Sequence, residues 1–209
     1  MDVGRPAGFA LPAGTEAVLR ALAGTNAPLG VREVARVAGV SPNRASQVLA
    51  GLVAHGLVCV EEHGAGRLCR LNRAHLAAEP LLALVELRGR LLGFLRSEVE
   101  SWERRAVHVS LFGSAARGDG DTSSDLDLLV VRPGDRAGGD ADDEGWEAQL
   151  FESGERIFAA TGNRAAWFVT TPADVRRAVK EGERIIAEWR RDGVHLAGRR
   201  LDQVLRAAA

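Results

Sequence analysis

The stretch LFGSAARGDGDTSSDLDLLVV, Leu111 to Val131, constrains this chain more than any other. Its ends are bulky and apolar and its middle is rich in glycine, so it reads as strand, turn, strand. Val107 to Phe112 is the first strand and DLDLLVV is the second. Gly113 and Ser114 make a tight exit from the first strand, with a helix expected to follow. Backbone N–H groups at such an exit, with no glycine side chain in the way, form a cradle for phosphate. Ser114 adds a hydroxyl, and Arg117 can grip a phosphate with two parallel hydrogen bonds. Side chains alternate across a strand, so Asp125 and Asp127 share a face, ~7 Å apart, while Leu126 and Leu128 enter the core. Two carboxylates so placed repel unless a cation lies near them. Mg²⁺, or Mn²⁺ in its place, takes carboxylate oxygens together with substrate phosphates, and the spacing suits it.

The rest of the chain supplies a different chemistry. Residues 1–75 carry eight Arg against five acidic residues, whereas residues 106–145 carry three Arg against nine. A basic first third beside an acidic middle predicts two domains with different partners. Lys180 is the only lysine, so arginine is the phosphate ligand almost everywhere. No apolar run approaches the ~20 residues that span a membrane. The opening MDVGRPAGFALPAG has neither the basic start nor the cleavage site of a leader, and reads as a flexible tail, residues 1–14, of a cytoplasmic protein. Cys59 and Cys69 read as a reduced, structural pair, since no C-x-x-C spacing turns them and the nearby His55 and His63 into a metal site.

Residues 15–75 read as a helix-turn-helix followed by a hairpin. Thr15 to Asn26 is a short helix, VREVARVAG a second that stops at Gly39, and VSPNRASQVLAGLVAHG opens a third. Ser41 is placed to cap the third helix and Pro42 fits its first turn, while Val48, Leu49, Leu52 and Val53 form its inner stripe. Asn43, Arg44, Ser46 and Gln47, with Ser41, lie at its outer N-terminal side, where side chains reach base edges and phosphates from a major groove. LVCVEEHGAGRLCRLN predicts two strands around a His63–Gly66 turn, with Arg67 positioned to touch the duplex. This stretch resembles the winged-helix domains of bacterial regulators of the arsenic-repressor and antibiotic-resistance-repressor types. The resemblance implies double-stranded DNA as partner.

Residues 76–105 read as a linker dominated by one helix, Glu79 to Trp102, with Leu81, Leu84, Leu91, Leu95, Val99 and Trp102 along a seam. That seam either covers a face of the next domain or pairs two copies into a homodimer, as regulators reading two half-sites require.

Residues 106–209 carry G-S-x-A-R-G, then S-D-x-D-L, at Gly113–Gly118 and Ser124–Leu128. This pattern resembles the signature of the polymerase-beta-like nucleotidyltransferases, above all their minimal form. The resemblance implies transfer of a nucleotide from a nucleoside triphosphate to a hydroxyl or phosphate acceptor, with two metals clamping the displacement; a protein or RNA partner is the acceptor in the alternative reading below. It assigns nucleotide binding to Gly113, Ser114, Arg117 and Ser124, catalysis to Ser114, Asp125 and Asp127, and the metal to Asp125 and Asp127. Arg117 would serve the phosphates or the loop. The family pattern also wants a third carboxylate on a later strand. The candidate strand, RAAWFVTT, has none, and the family register puts the position at Trp167, which could instead stack on a base. Asp174 belongs to the next helix, PADVRRAVKEGERIIAEW, and the acidic segment Asp135–Gly145 reads as a loop. His108 and His195 read as structural.

The expected architecture is therefore α+β: a winged helix-turn-helix, a linker helix, and an α/β nucleotidyltransferase fold with a small mixed sheet. The expected function is a DNA-binding transcriptional regulator whose second domain binds nucleoside triphosphate and Mg²⁺ with at most weak transfer. The alternative is an active nucleotidyltransferase, of the kind that accompanies toxin–antitoxin pairs, with the winged helix for autoregulation.

Overall fold

Helix α1 (Ala13–Ala23), helix α2 (Val31–Ala38) and helix α3 (Pro42–Ala54) open a computed structural model that describes residues 1–63, 66–134 and 142–206. The chain divides into two units, Pro6–Arg88 and Met1–Arg5 with Gly89–Ala209.

In the first unit, α2 ends because Gly39 adopts φ 63°, a left-handed stop that spares a side chain the clash. Ser41 then accepts a hydrogen bond from the Arg44 N–H and Pro42 occupies the first turn of α3. Such a cap contributes about 1 kcal/mol. Ala45, Val48, Leu49 and Leu52 form the buried side of α3; Val53, expected there, is 38% exposed. Strand β1 (Leu29–Gly30), strand β2 (Val58–His63) and strand β3 (Gly66–Leu71) make an antiparallel sheet in the order β1-β3-β2. The β2–β3 pair is the expected wing hairpin, although its tip, Gly64–Ala65, lies outside the described residues. Cys59 is exposed and Cys69 buried, both as free thiols.

The expected single linker helix is two: α4 (Ala78–Val85) and α5 (Leu87–Glu100). Its seam serves two cores. Val85, Leu81 and Leu84 pack with α1–α3, whereas Leu91, Leu95, Val99 and Trp102 pack under the second unit's sheet. The second half of the seam therefore covers a face of the following domain, one of the two readings that the sequence allows.

The expected flexible tail is ordered as well. Val3 is fully buried in the second unit's core, and Ala7 and Leu11 are buried in that of the first. The Met1 ammonium donates to the Thr161 carbonyl and to Asn163 Oδ1, both at 2.9 Å.

The second unit is built on strands β4 (His108–Phe112), β5 (Leu126–Val131), β6 (Ala165–Thr170) and β7 (Val194–Gly198). They form one mixed sheet, β6-β5-β4-β7, with only β5 and β6 parallel. Leu126, Leu128 and Val130 face α5 and helix α7 (Asp142–Thr161). Leu129 and Val131 face helices α8 (Pro172–Glu181), α9 (Arg184–Asp192) and α10 (Leu201–Arg206). The sequence predicted one helix across α8 and α9; Gly182, at φ 69°, ends the first. Residues 135–141 of the acidic segment lie outside the described residues, and from Asp142 the chain is helical. His108 is buried, its Nδ1–H donating to the Arg199 carbonyl and its Nε2 accepting from Ser110, with the His195 ring stacked 5.6 Å away.

Candidate functional site

The site is a corner where β4 turns into helix α6 (Gly113–Arg117) and β5 begins. Phe112 pairs with Asp127 across the two strands, so the residue after Phe112 arrives directly beneath the Asp127 carboxylate. Gly113 takes φ 69° there. A Cβ on it would sit inside the Asp127 carboxylate, 3.1 Å from Cγ, so the turn demands glycine for both conformation and space.

Asp125 is exposed and Asp127 half-buried. Burial, reinforced by the neighbouring Asp125 charge and opposed by Arg117, pushes the Asp127 carboxyl above its usual range. Two carboxylates held this way favour either a shared proton or a cation. Together they offer a divalent ion two oxygen-bearing ligands, with phosphate and water left to complete a shell of the kind Mg²⁺ prefers. Among the described residues no group of three or more His, Cys, Asp or Glu side chains converges.

Ser114 and Ser124 come together over Gly120: a Cβ there would lie 3.0 Å from Ser114 Oγ and 2.9 Å from Ser124 Oγ. The Ser124 hydroxyl accepts from the Asp121 N–H at 2.9 Å, so it closes its own turn. Its carbonyl accepts from Asn163 Nδ2 at 2.9 Å, and the same amide nitrogen donates to the Met1 carbonyl at 3.0 Å. Gly4 N–H adds a hydrogen bond to the Gly120 carbonyl. The N-terminal segment thus buttresses the loop that leads to the aspartates.

Arg117 is turned away from a phosphate-gripping pose. Its Nε donates to Asp119 at 2.9 Å and its Nη1 to Asp192 at 2.8 Å. Asp192, at the end of α9, also receives Arg191 through two bonds. The guanidinium therefore ties the turn after α6 to α9.

The missing carboxylate must be sought at a different residue from the one expected. Parallel pairing sets Asp127 beside Ala166 and Leu129 beside Phe168, so Ala166, Phe168 and Thr170 share the Asp127 face. Trp167 points to the opposite face, 5.8 Å from Trp102, which in turn meets Trp146 at 6.3 Å. It can neither replace a metal ligand nor stack on a nucleotide at this corner. The conclusion that β6 offers no acid still holds, now for Ala166 and Phe168. Asp174 lies in the first turn of α8, where its N–H donates to the capping Thr171 hydroxyl at 3.2 Å and its carboxylate accepts from that hydroxyl at 2.8 Å.

In the first unit Ser41, Asn43, Arg44, Ser46 and Gln47 are all exposed, on the side of α3 opposite Ala45 and Val48. Arg67 is exposed on β3. The Arg44 guanidinium lies against the backbone of Gly14, whose Cβ position would be 2.7 Å from Nε.

Sequence reasoning missed Asn163, Asp192 and Phe168. The first two act through partners far along the chain, and the third only through strand register.

A helical DNA-reading module and a glycine turn facing paired aspartates define a regulator-like chain with a nucleotidyltransferase fold. The nucleotidyltransferase domain model matches residues 90–209, more than half of the sequence, and the chain belongs to that family. Residues 16–61 match the IclR helix-turn-helix domain rather than a domain of the two repressor types that the sequence resembles. No curated protein matches the chain. A solved structure, human N-acetylserotonin methyltransferase in complex with SAM, is 23% identical over 43% of this chain and 29% of its own, with a TM-score of 0.28. Among the described residues no helix is long and apolar enough to cross a membrane.

Proposed function

We propose that this protein is a DNA-binding regulator whose second unit binds a nucleoside triphosphate with one Mg²⁺ or Mn²⁺ and transfers nucleotide weakly at most. The observation that carries the reading is the fit of Gly113 beneath Asp127, which keeps a phosphate-accessible turn and a carboxylate pair at one corner.

Asp125 and Asp127 would hold the cation, which when bound neutralises phosphate oxygens and polarises the bond to be broken. The Gly113–Ser114 backbone and the Ser114 hydroxyl face the same corner and would orient the phosphates. Arg117, engaged with Asp119 and Asp192, would fix the turn rather than touch them. Transfer further requires a group that accepts the proton of the attacking hydroxyl. The Asp127 face of β6 supplies Ala166 and Phe168, neither of which can. Losing such a group can cost several kcal/mol, and each ~1.4 kcal/mol is tenfold in rate. Binding therefore outlasts turnover, which suits a sensor.

Helix α3 would enter the major groove with Asn43, Arg44, Ser46 and Gln47, and Arg67 on the wing would meet phosphate.

The test is incubation with labelled nucleoside triphosphates and Mg²⁺, with Asp125→Asn and Asp127→Asn as controls, alongside calorimetry of nucleotide binding. Binding without transfer, lost in both variants, is the expected result. Rapid transfer of label to a protein or RNA partner would overturn the sensor reading in favour of an active nucleotidyltransferase. Absence of binding by any magnesium–nucleotide pair at millimolar concentration would overturn both.

A further inference from the structure

We infer that the groove between β6, α8 and α9 is a base-stacking subsite, in which a nucleobase lies on Phe168 while the phosphates of the same nucleotide occupy the Gly113–Asp127 corner. The inference rests on the nucleotide-binding reading and adds to it what recognises the base.

Phe168 carries an aromatic ring at a place where the sheet buries its neighbours. It is 43% exposed although it sits in the strand next to the fully buried Leu129. It shares the Asp127 face and lies two residues along from Ala166, Asp127's partner, or ~7 Å at strand spacing. A nucleotide anchored by its phosphates at the aspartates can reach that distance with its sugar and base.

The wall against Phe168 is aromatic, and its buried rings lead back to the strand end at the corner. Its ring meets Trp189 edge-on at 5.2 Å, and Trp189 meets Phe112 at 6.4 Å. Phe112 immediately precedes Gly113 and pairs with Asp127. The groove beside them has a volume of about 320 Å³, at the low end of small-molecule sites. Phe168, Val175 and Ile185 give it apolar walls, while Asp174, Arg177 and Glu183 supply polar groups at its sides. The Trp189 indole N–H, buried in the wall, has no acceptor among the described residues. Planar ring, apolar walls and a few polar groups are the chemistry of a heteroaromatic base, since every base has a π face to stack. A flexible aliphatic ligand would gain no stacking from the ring.

The experiment is calorimetric titration of the full chain with Mg·ATP and, separately, with magnesium tripolyphosphate, which has the phosphates and no base. The protein is expected to bind ATP about tenfold more tightly than tripolyphosphate. Phe168→Ala should erase that difference, bringing ATP to the tripolyphosphate level and leaving tripolyphosphate affinity unchanged. Phe168→Leu, which keeps apolar bulk, guards against a folding effect and should behave like Phe168→Ala, whereas Phe168→Trp should retain the preference. Equal affinity for the two ligands in the unaltered protein, or an unchanged preference in Phe168→Leu, overturns the subsite while leaving the phosphate corner standing. If neither ligand binds, the nucleotide reading fails and the subsite fails with it; loss of both in Asp127→Asn ties the binding to the corner.

Discussion

The carboxylate of Asp127 fills the space in which a side chain at Gly113 would begin. Each residue thereby fixes the other: the glycine lets the acid approach the turn, and the acid leaves no room for any other residue. Gly113→Ala should destabilise the second unit by about 1–2 kcal/mol from the left-handed backbone alone, with a further cost from displaced Asp127. Denaturant unfolding measures the loss, and calorimetry should show Mg·ATP binding reduced at least tenfold. Retained affinity would separate Asp127 from the nucleotide.

Asn163 is buried and serves three groups at once, the Met1 ammonium, the Met1 carbonyl and the Ser124 carbonyl. Removing it strands those partners, at about 1–3 kcal/mol for an unsatisfied buried group. Asn163→Ala should lower the melting temperature and speed hydrogen exchange at the Gly4 amide, whose bond to the Gly120 carbonyl depends on the same anchoring.

Asp192 gives the molecule an acid-sensitive tie. Arg191 and Arg117 hold its carboxyl well below the usual carboxylate range. A depressed folded value means that the contribution is present above the unfolded value, ~3.9, and is lost as pH falls through the folded one. Asp192→Asn should therefore lower the melting temperature most near neutral pH. The gap between variant and parent should narrow as melts are taken below about pH 4. A gap independent of pH would assign the residue a packing role only.

Local chemistry was legible in the sequence, and distant partnership was not. Gly113, Ser114, Asp125 and Asp127 announce themselves because turn, strand alternation and charge are short-range patterns. Arg117 announces only that it is an arginine; its partner lies 75 residues away in α9. The absence of an acid from β6 could be read directly, yet the residue standing in its place could not, because a one-residue change of register reverses every side chain. Pairing with β5 puts Ala166 beside Asp127, with Phe168 next on that face, and turns Trp167 to the other. The first fourteen residues show no periodicity, and their order comes from Asn163, Gly120 and two hydrophobic cores. The leucine run from Glu79 to Trp102 reads as one helix since no proline or glycine stands at Glu86, where the structure divides it.

Helix α3 presents its polar residues outward with the N-terminus capped by Ser41. Arg44→Ala and Gln47→Ala should each weaken binding to the native promoter fragment, and Arg44→Ala should also reduce the salt dependence by about one counterion. Ser41→Ala should act differently, lowering stability by about 1 kcal/mol through the lost cap. Gel retardation across salt concentrations, paired with thermal melts, separates the two effects. Unchanged retardation in both Arg44→Ala and Gln47→Ala would remove α3 as the reading helix.

Trp167 tests the assignment of faces. It packs on Trp102 beneath the sheet, with Trp102 anchored by its indole N–H to Ser153 Oγ at 3.1 Å. Truncating a large aromatic in a core costs about 3–5 kcal/mol, and the partial exposure of Trp167 places the expected loss near the lower end. Trp167→Ala should therefore reduce stability substantially on denaturant unfolding. At temperatures where the variant is folded, its Mg·ATP affinity should stay within about twofold of the parent, because the sheet separates the residue from Asp127 and Phe168. A Trp167→Ala protein that is folded but has lost nucleotide binding would place the nucleotide on the α7 side and refute the corner described above.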